Sequence, residues 1–125
     1  MCGIVGFIDR MNQNDKSKTL EEMMNTIVHR GPSSSGGFID EGAAIGFRRL
    51  SIIDLEGGDQ PIFNEDKSKL ITFNGEIYNF RELREDLIAK GHDFTTHADT
   101  EVLLHGYEEY GVELLQKLRG MFAFV

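Results

Sequence analysis

Apolar positions recur along the chain with two periods, and the periods divide it into helices and strands. Leu20, Met23, Met24, Ile27 and Val28 follow the i, i+3, i+4, i+7, i+8 spacing of a helix with one buried face. Thr19 with Glu22 supplies a capping box at its start. Phe80, Leu83, Leu87 and Ile88 repeat the pattern, opened by Asn79 and Glu82 and closed by Gly91. A third helix begins at Asp99-Thr100-Glu101, with Val102, Leu103, Tyr107 and Tyr110 facing inward and Gly111 past its end, and 112–118 forms a short helical piece. Short β-branched and aromatic runs at 3–9, 38–39, 43–53, 62–64, 70–73, 92–97 and 120–125 predict strands. Residues 10–17, 33–37 and 56–60 are polar or glycine-containing loops, and His29-Arg30-Gly31-Pro32 ends the first helix with two breakers. Strands joined as hairpins, with helices inserted between them, predict α+β layering in preference to a parallel βαβ series.

Composition narrows the function classes. With 125 residues the chain is one domain's worth, enough to bury about two-thirds of its unfolded surface. Its net charge of −8 argues against nucleic acid or an anionic membrane as partner. The single cysteine excludes an intrachain disulfide and suits a reducing cytoplasm. No apolar run reaches the roughly 20 residues of a membrane span, and the N-terminus lacks a basic-then-apolar leader. One cysteine and four histidines without zinc-motif spacing lead to the expectation of no metal. The closing apolar strand runs off the end of the chain, so a longer domain is expected.

The candidate chemistry starts at Met1-Cys2-Gly3. If the initiator methionine is removed, Cys2 carries a thiol and a free α-amine on one Cα. The amine titrates near ~7.7–8.0, so the residue can act as nucleophile with its own general base. Taken alone, a lone cysteine is more often a small buried hydrophobe. Arg49, beside apolar residues, is suited to gripping a carboxylate bidentately, or equally to a surface ion pair. Asn74-Gly75 offers an amide donor and a sterically open N–H for an oxyanion hole, against its common use as a tight turn; the residues after Gly75 resemble a helix start. Asp99 can be a helix N-cap or can hold a substrate ammonium. His92 and His97 are expected to face solvent and His105 to lie mid-helix, leaving His29 as the histidine that could compete as base for Cys2.

Met1-Cys2-Gly3-Ile4, His29-Arg30-Gly31-Pro32, Arg49-Leu50-Ser51-Ile52-Ile53-Asp54, Phe73-Asn74-Gly75-Glu76-Ile77-Tyr78-Asn79, Asp99-Thr100-Glu101 and Arg119-Gly120-Met121-Phe122-Ala123-Phe124 stand in the order seen in class II glutamine amidotransferases. The set most resembles the glutaminase domain of the asparagine synthetase branch, and it covers the whole chain. The resemblance implies an N-terminal-nucleophile hydrolase fold, an αββα sandwich, here cut short on its C-terminal side and without the synthetase domain. It implies that Cys2 attacks the amide of L-glutamine to form a thioester, which hydrolyses to glutamate with release of ammonia. Asn74 and Gly75 would hold the oxyanion, and Arg49 the α-carboxylate. Asp99, helped by Glu76, would hold the α-ammonium, and the backbone of Leu50, Ser51, Ile52 and Ile53 would line the pocket. No cofactor is implied for this domain. ATP and Mg2+ are implied for the synthetase domain or subunit that receives the ammonia and converts aspartate to asparagine. The expected setting is cytoplasmic, and a homodimer is among the expected assemblies. One departure is Ser33, which stands where that branch has an acidic residue. The competing expectation is a catalytically silent fragment that binds glutamine or a partner subunit.

Overall fold

The computed structural model describes residues 1–10, 12–51 and 59–125. It divides the chain into two compact units, Met1–Pro61 and Ile62–Val125.

In the first unit, β1 (Gly3–Ile8), α1 (Gln13–Thr26), β2 (Ser34–Ile39) and β3 (Ala43–Arg49) build an antiparallel sheet of order β1-β3-β2 with a helix against it. The register runs from Gly3↔Arg48 to Ile8↔Ala43 and from Ser34↔Arg49 to Ile39↔Ala44. Central β3 buries Ala44 and Phe47, and α1 contributes Leu20. The helix begins at Gln13, well before the expected capping box. The Asn12 side chain accepts from the Asp15 N–H at 3.0 Å and caps it. Lys16, fully buried, donates through Nζ to Asp40 O at 2.8 Å and Glu41 O at 2.5 Å, tying the first turn to the β2–β3 turn. A polar first turn carries no apolar period, so only Asn12-x-x-Asp15 could have signalled it. β2 likewise starts earlier than expected, at Ser34. Serine and glycine are poor strand formers, but pairing along all of β3 overrides that preference. β3 ends at Arg49, and the remainder of the expected strand at Ile52 and Ile53 lies outside the described residues.

In the second unit, β4 (Ile62–Phe63) pairs with β5 (Leu70–Ile71), and β6 (Phe73–Ile77) pairs antiparallel with β7 (Gly120–Phe124). Helices α2 (Phe80–Ala89) and α3 (Asp99–Tyr110), a 3-10 turn at Gly111–Glu113 and α4 (Leu114–Lys117) complete it. Ile77, Leu87, Val102 and Leu103 form the centre of the core, each almost wholly buried. Burial of that kind stabilises by about 1.5–3 kcal/mol per side chain. Three expectations change here. Asn74-Gly75 lies inside β6, because the strand continues to Ile77 along β7. Asn79 precedes α2 without a side-chain cap; its amide donates to Lys117 O, and its Oδ1 accepts from the Arg119 N–H, both at 2.9 Å. Residues 92–97 form no strand, since the Thr95 and Thr96 N–H groups both donate to the Glu101 carboxylate at 2.7 Å. The mixed helix and antiparallel-sheet architecture agrees with the expected α+β class. Among the described residues no helix is long and apolar enough to cross a membrane.

Candidate active site

Cys2 lies one residue beyond the last β1–β3 pair, Gly3↔Arg48, so continuing the ladder sets it opposite Arg49. Arg48 Nε donates to Met24 O at 3.2 Å, which puts Arg48 on the α1 side of the sheet. Alternation then sends Arg49 and its cross-strand neighbour Cys2 to the opposite face. The Leu50 N–H donates to Cys2 Sγ at 3.4 Å, and Arg30 Nε to Cys2 O at 3.2 Å. The side chain of Arg49 is only 11% exposed, and its guanidinium pairs at 3.6 Å with Asp59, which is 90% exposed. A buried guanidinium facing an exchangeable carboxylate is the arrangement expected of a carboxylate receptor. Cys2, Arg49, Leu50 and Ser51 are therefore brought together in the first unit.

The loop that carries His29-Arg30-Gly31-Pro32 presses against this corner. A Cβ on Gly31 would stand 2.4 Å from the carbonyl carbon of Arg48, so nothing larger than glycine fits. The Ser33 N–H donates to Arg49 O at 3.0 Å, and Ser33 Oγ accepts from the Ser51 N–H at 3.1 Å. Ser33 thus holds Arg49 by its backbone N–H and Ser51, beyond the end of β3, by its hydroxyl. Arg30, by its bond to Cys2 O, is the member of this loop tied to the cysteine; His29 is exposed.

In the second unit the phase of the β6–β7 ladder decides which N–H groups are available. Thr72 and Val125 exchange both backbone hydrogen bonds at 3.0 Å, and Tyr78 N–H donates to Arg119 O at 2.7 Å. The register between them is unbroken. Residues 74, 76 and 78 therefore bond to β7, and the N–H groups of Gly75 and Ile77 point to the other edge. On that edge β6 has no partner strand among the described residues. The Ile77 N–H donates to Asp99 Oδ2 at 3.0 Å. The Gly75 N–H thus opens on the edge where Asp99 sits, about 6.7 Å along the strand from the Ile77 N–H. That separation is of the size of one extended glutamine, from ammonium to amide. Gly75 has φ +148°, and a Cβ there would lie 2.1 Å from Met121 O, so glycine is demanded by conformation and by space.

Asp99 is the first residue of α3, with Ala98 as N-cap, so it does not serve as the expected cap. Burial pushes its carboxyl above the ordinary value despite the Ile77 hydrogen bond, and the Glu76 charge adds to the rise. Two carboxylates that oppose each other's ionisation in this way favour a cation between them. Glu76 and Asn74 share the strand face opposite Phe73 and Ile77, which are buried. Of the expected pocket backbone, Leu50 and Ser51 are placed, while Ile52 and Ile53 lie outside the described residues. The sequence reading missed Asp59, the Leu50 N–H as a partner of the sulfur, and the Ile77 N–H as the anchor of Asp99. Only the parity of β6 could have signalled the last of these.

A family model described as the glutamine amidotransferase domain matches residues 1–125. Asparagine synthetase [glutamine-hydrolyzing] 1 of Bacillus subtilis (strain 168) is 53% identical over 128 aligned positions, which cover 100% of this chain and 20% of that protein. Asparagine synthetase [glutamine-hydrolyzing] 2 of Arabidopsis thaliana is 48% identical, with 100% and 22% covered. Among solved structures, the glutamine phosphoribosylpyrophosphate amidotransferase of B. subtilis, complexed with ADP and GMP, matches with a TM-score of 0.55 and 28% identity, over 67% of this chain and 20% of that one. The chain spans about a fifth of the length of these relatives.

Proposed function

The chain belongs to the glutamine amidotransferase family, and from that premise we propose that it hydrolyses the side-chain amide of glutamine through a thioester on Cys2. Once Met1 is removed, the thiol proton passes to the α-amine of Cys2 as Sγ attacks the amide carbon. The oxyanion takes hydrogen bonds from the Asn74 amide and the Gly75 N–H. Collapse of this intermediate returns the proton to the departing nitrogen, ammonia leaves, and water then cleaves the thioester to glutamate. Arg49 exchanges Asp59 for the substrate α-carboxylate, and Asp99 with Glu76 receives the α-ammonium. The backbone of Leu50 and Ser51 borders the bound amino acid. Anchoring both charged groups lets the amide meet the thiolate already oriented.

The observation that carries this reading is the cysteine sulfur bonded to the Leu50 N–H on the sheet face of Arg49. Intact-mass measurement joined to an ammonia-release assay tests it: a chain beginning at Cys2 should convert glutamine to glutamate and ammonia. A processed, folded chain with no turnover would favour the silent glutamine-binding fragment. Because the curated relatives are glutamine-hydrolysing asparagine synthetases, the proposal extends to the fate of the ammonia. It would feed a synthetase domain or subunit that amidates aspartate with ATP and Mg2+, a step assigned to no residue of this chain.

Two substitutions probe the anchors. Arg49→Lys should raise KM for glutamine roughly 10- to 100-fold with a smaller change in kcat, since a charge-assisted bond contributes about 1.5–3 kcal/mol and an ammonium cannot reproduce the planar fork. An unchanged KM would leave Arg49 only its ion pair with Asp59. Asp99→Asn keeps an acceptor for the Ile77 N–H but removes a buried charge. Its thermal stability at neutral pH should equal or exceed that of the parent, while KM rises roughly 30-fold to several thousand-fold, the equivalent of about 2–5 kcal/mol for a broken desolvated charge pair. The sign of the pH effect follows from the raised pKa. Asp99 loses its charge at a higher pH than an ordinary carboxylate as acid is added. Below the limb set by the α-amine of Cys2, kcat/KM should therefore fall a second time at a pH above the usual carboxylate range, and Asp99→Asn should remove that second fall.

A further inference from the structure

Away from these residues, α3 and the segment preceding it gather imidazoles and carboxylates that the glutaminase reading does not use. His105 Nδ1 lies 2.9 Å from Glu108 Oε2, and His92 Nδ1 lies 3.8 Å from the same oxygen. One ligand atom from each of these three residues lies within 4.8 Å of the others. Each is also held from behind. His92 Nε2 is 3.1 Å from Glu109 Oε2, and His105 Nε2 is 3.5 Å from Glu101 Oε1. Asn64 Nδ2 donates to Glu108 Oε1 at 2.7 Å. A carboxylate stands behind each ring at Nε2, as outer-shell partners do for metal-bound histidine, and a cation at Nδ1 would take the place of the proton between His105 Nδ1 and Glu108 Oε2. The His92 N–H donates to Leu87 O at 3.1 Å, and the His105 side chain is only 2% exposed, so neither ring has far to move.

We propose that His92 Nδ1, His105 Nδ1 and Glu108 Oε2 form a binding site for a borderline divalent transition cation, with Zn2+ the expected occupant. Two nitrogens and one carboxylate oxygen suit Zn2+ and not Mg2+ or Ca2+, and water would complete a four-coordinate shell. Tetrahedral bonds of about 2.0–2.1 Å put ligand atoms about 3.3 Å apart, between the 2.9 Å and 3.8 Å separations here. The surroundings favour a dication. The Glu101 carboxylate behind His105 accepts from the backbone N–H and the hydroxyl of both Thr95 and Thr96. Bound metal would pin the segment after α2 to α3, the helix that begins with Asp99. His105 and Glu108 stand at i, i+3 on one helix face, a spacing visible in the sequence; His92 comes from outside the helix, so no local motif spacing marks the three together.

Titration of the metal-free full chain with Zn2+, and with Co2+ as a spectroscopic probe, tests the site. The expected result is one cation per chain, a rise in melting temperature, and a visible Co2+ band typical of low coordination number. His92→Ala and Glu108→Gln, each checked for folding by circular dichroism, should each lose more affinity than the roughly 10- to 100-fold lost with an outer-shell partner. Cys2→Ser should leave affinity unchanged. Failure to bind Zn2+, undiminished binding in both folded variants, or a thiolate-to-Co2+ band abolished by Cys2→Ser would overturn the proposal. No readout depends on glutamine turnover, so the outcome is separate from that of the proposed reaction.

Discussion

A chain carrying one extra residue in front of Cys2 should release no ammonia from glutamine above background, while the chain that begins at Cys2 turns over. The two proteins have the same thiol and the same fold, because the contacts of Cys2 run through Sγ to the Leu50 N–H and through its carbonyl to Arg30. They differ in whether the nitrogen of Cys2 is a basic amine or a peptide N–H that can neither accept nor relay a proton. Positioned general bases contribute about 10²- to 10⁴-fold, and here the same amine also protonates the leaving group, so the loss should fall at the upper end. Met1 is 72% exposed and open to removal. The measurement is kcat for the two chains side by side, with intact mass establishing each N-terminus and matched unfolding curves excluding a folding defect. Turnover by the extended chain would hand the base to another group, with His29, in the loop tied to Cys2 O, the first to replace.

Gly75→Ala should damage both the fold of the second unit and the reaction. At φ +148° a side chain is strained by about 1–3 kcal/mol before any contact is counted. The added methyl would then sit 2.1 Å from the Met121 carbonyl oxygen and 2.6 Å from the Phe122 Cα. Both are backbone atoms of β7, so relief requires β6 and β7 to part around the Gly75↔Phe122 pair. Parting swings the Gly75 N–H away from the edge it shares with Asp99, and loss of one oxyanion donor costs about 2.7–4 kcal/mol in kcat. Urea unfolding and kcat measured together are decisive. A variant that unfolds like the parent and keeps its kcat would exclude the β6 edge as the oxyanion site. Loss of kcat beyond the unfolded fraction would support it.

The helices legible in the sequence were those whose apolar period reports burial, such as α3, with Val102 and Leu103 facing the core. The early turn of α1 escaped because its stabilisation comes from the Asn12 cap and from Lys16 bonded to carbonyls remote in sequence. Likewise the alternation expected of a strand at 92–97 had no structural counterpart, because Glu101 consumes the backbone donors a ladder would need.

The order of Cys2, Arg49, Asn74-Gly75 and Asp99 determined the family and the chemistry to look for, since nucleophile, guanidinium, amide and carboxylate are properties of residue types. The sequence alone also marked Gly75 as sterically open. What the tertiary structure decided was direction: that Arg49 faces away from α1 and meets Asp59, that the Gly75 N–H leaves the ladder on the edge of Asp99, and that His92 meets His105 and Glu108. Direction follows from strand register and helix packing. Those are set by pairings between residues far apart in the chain, which no local pattern records.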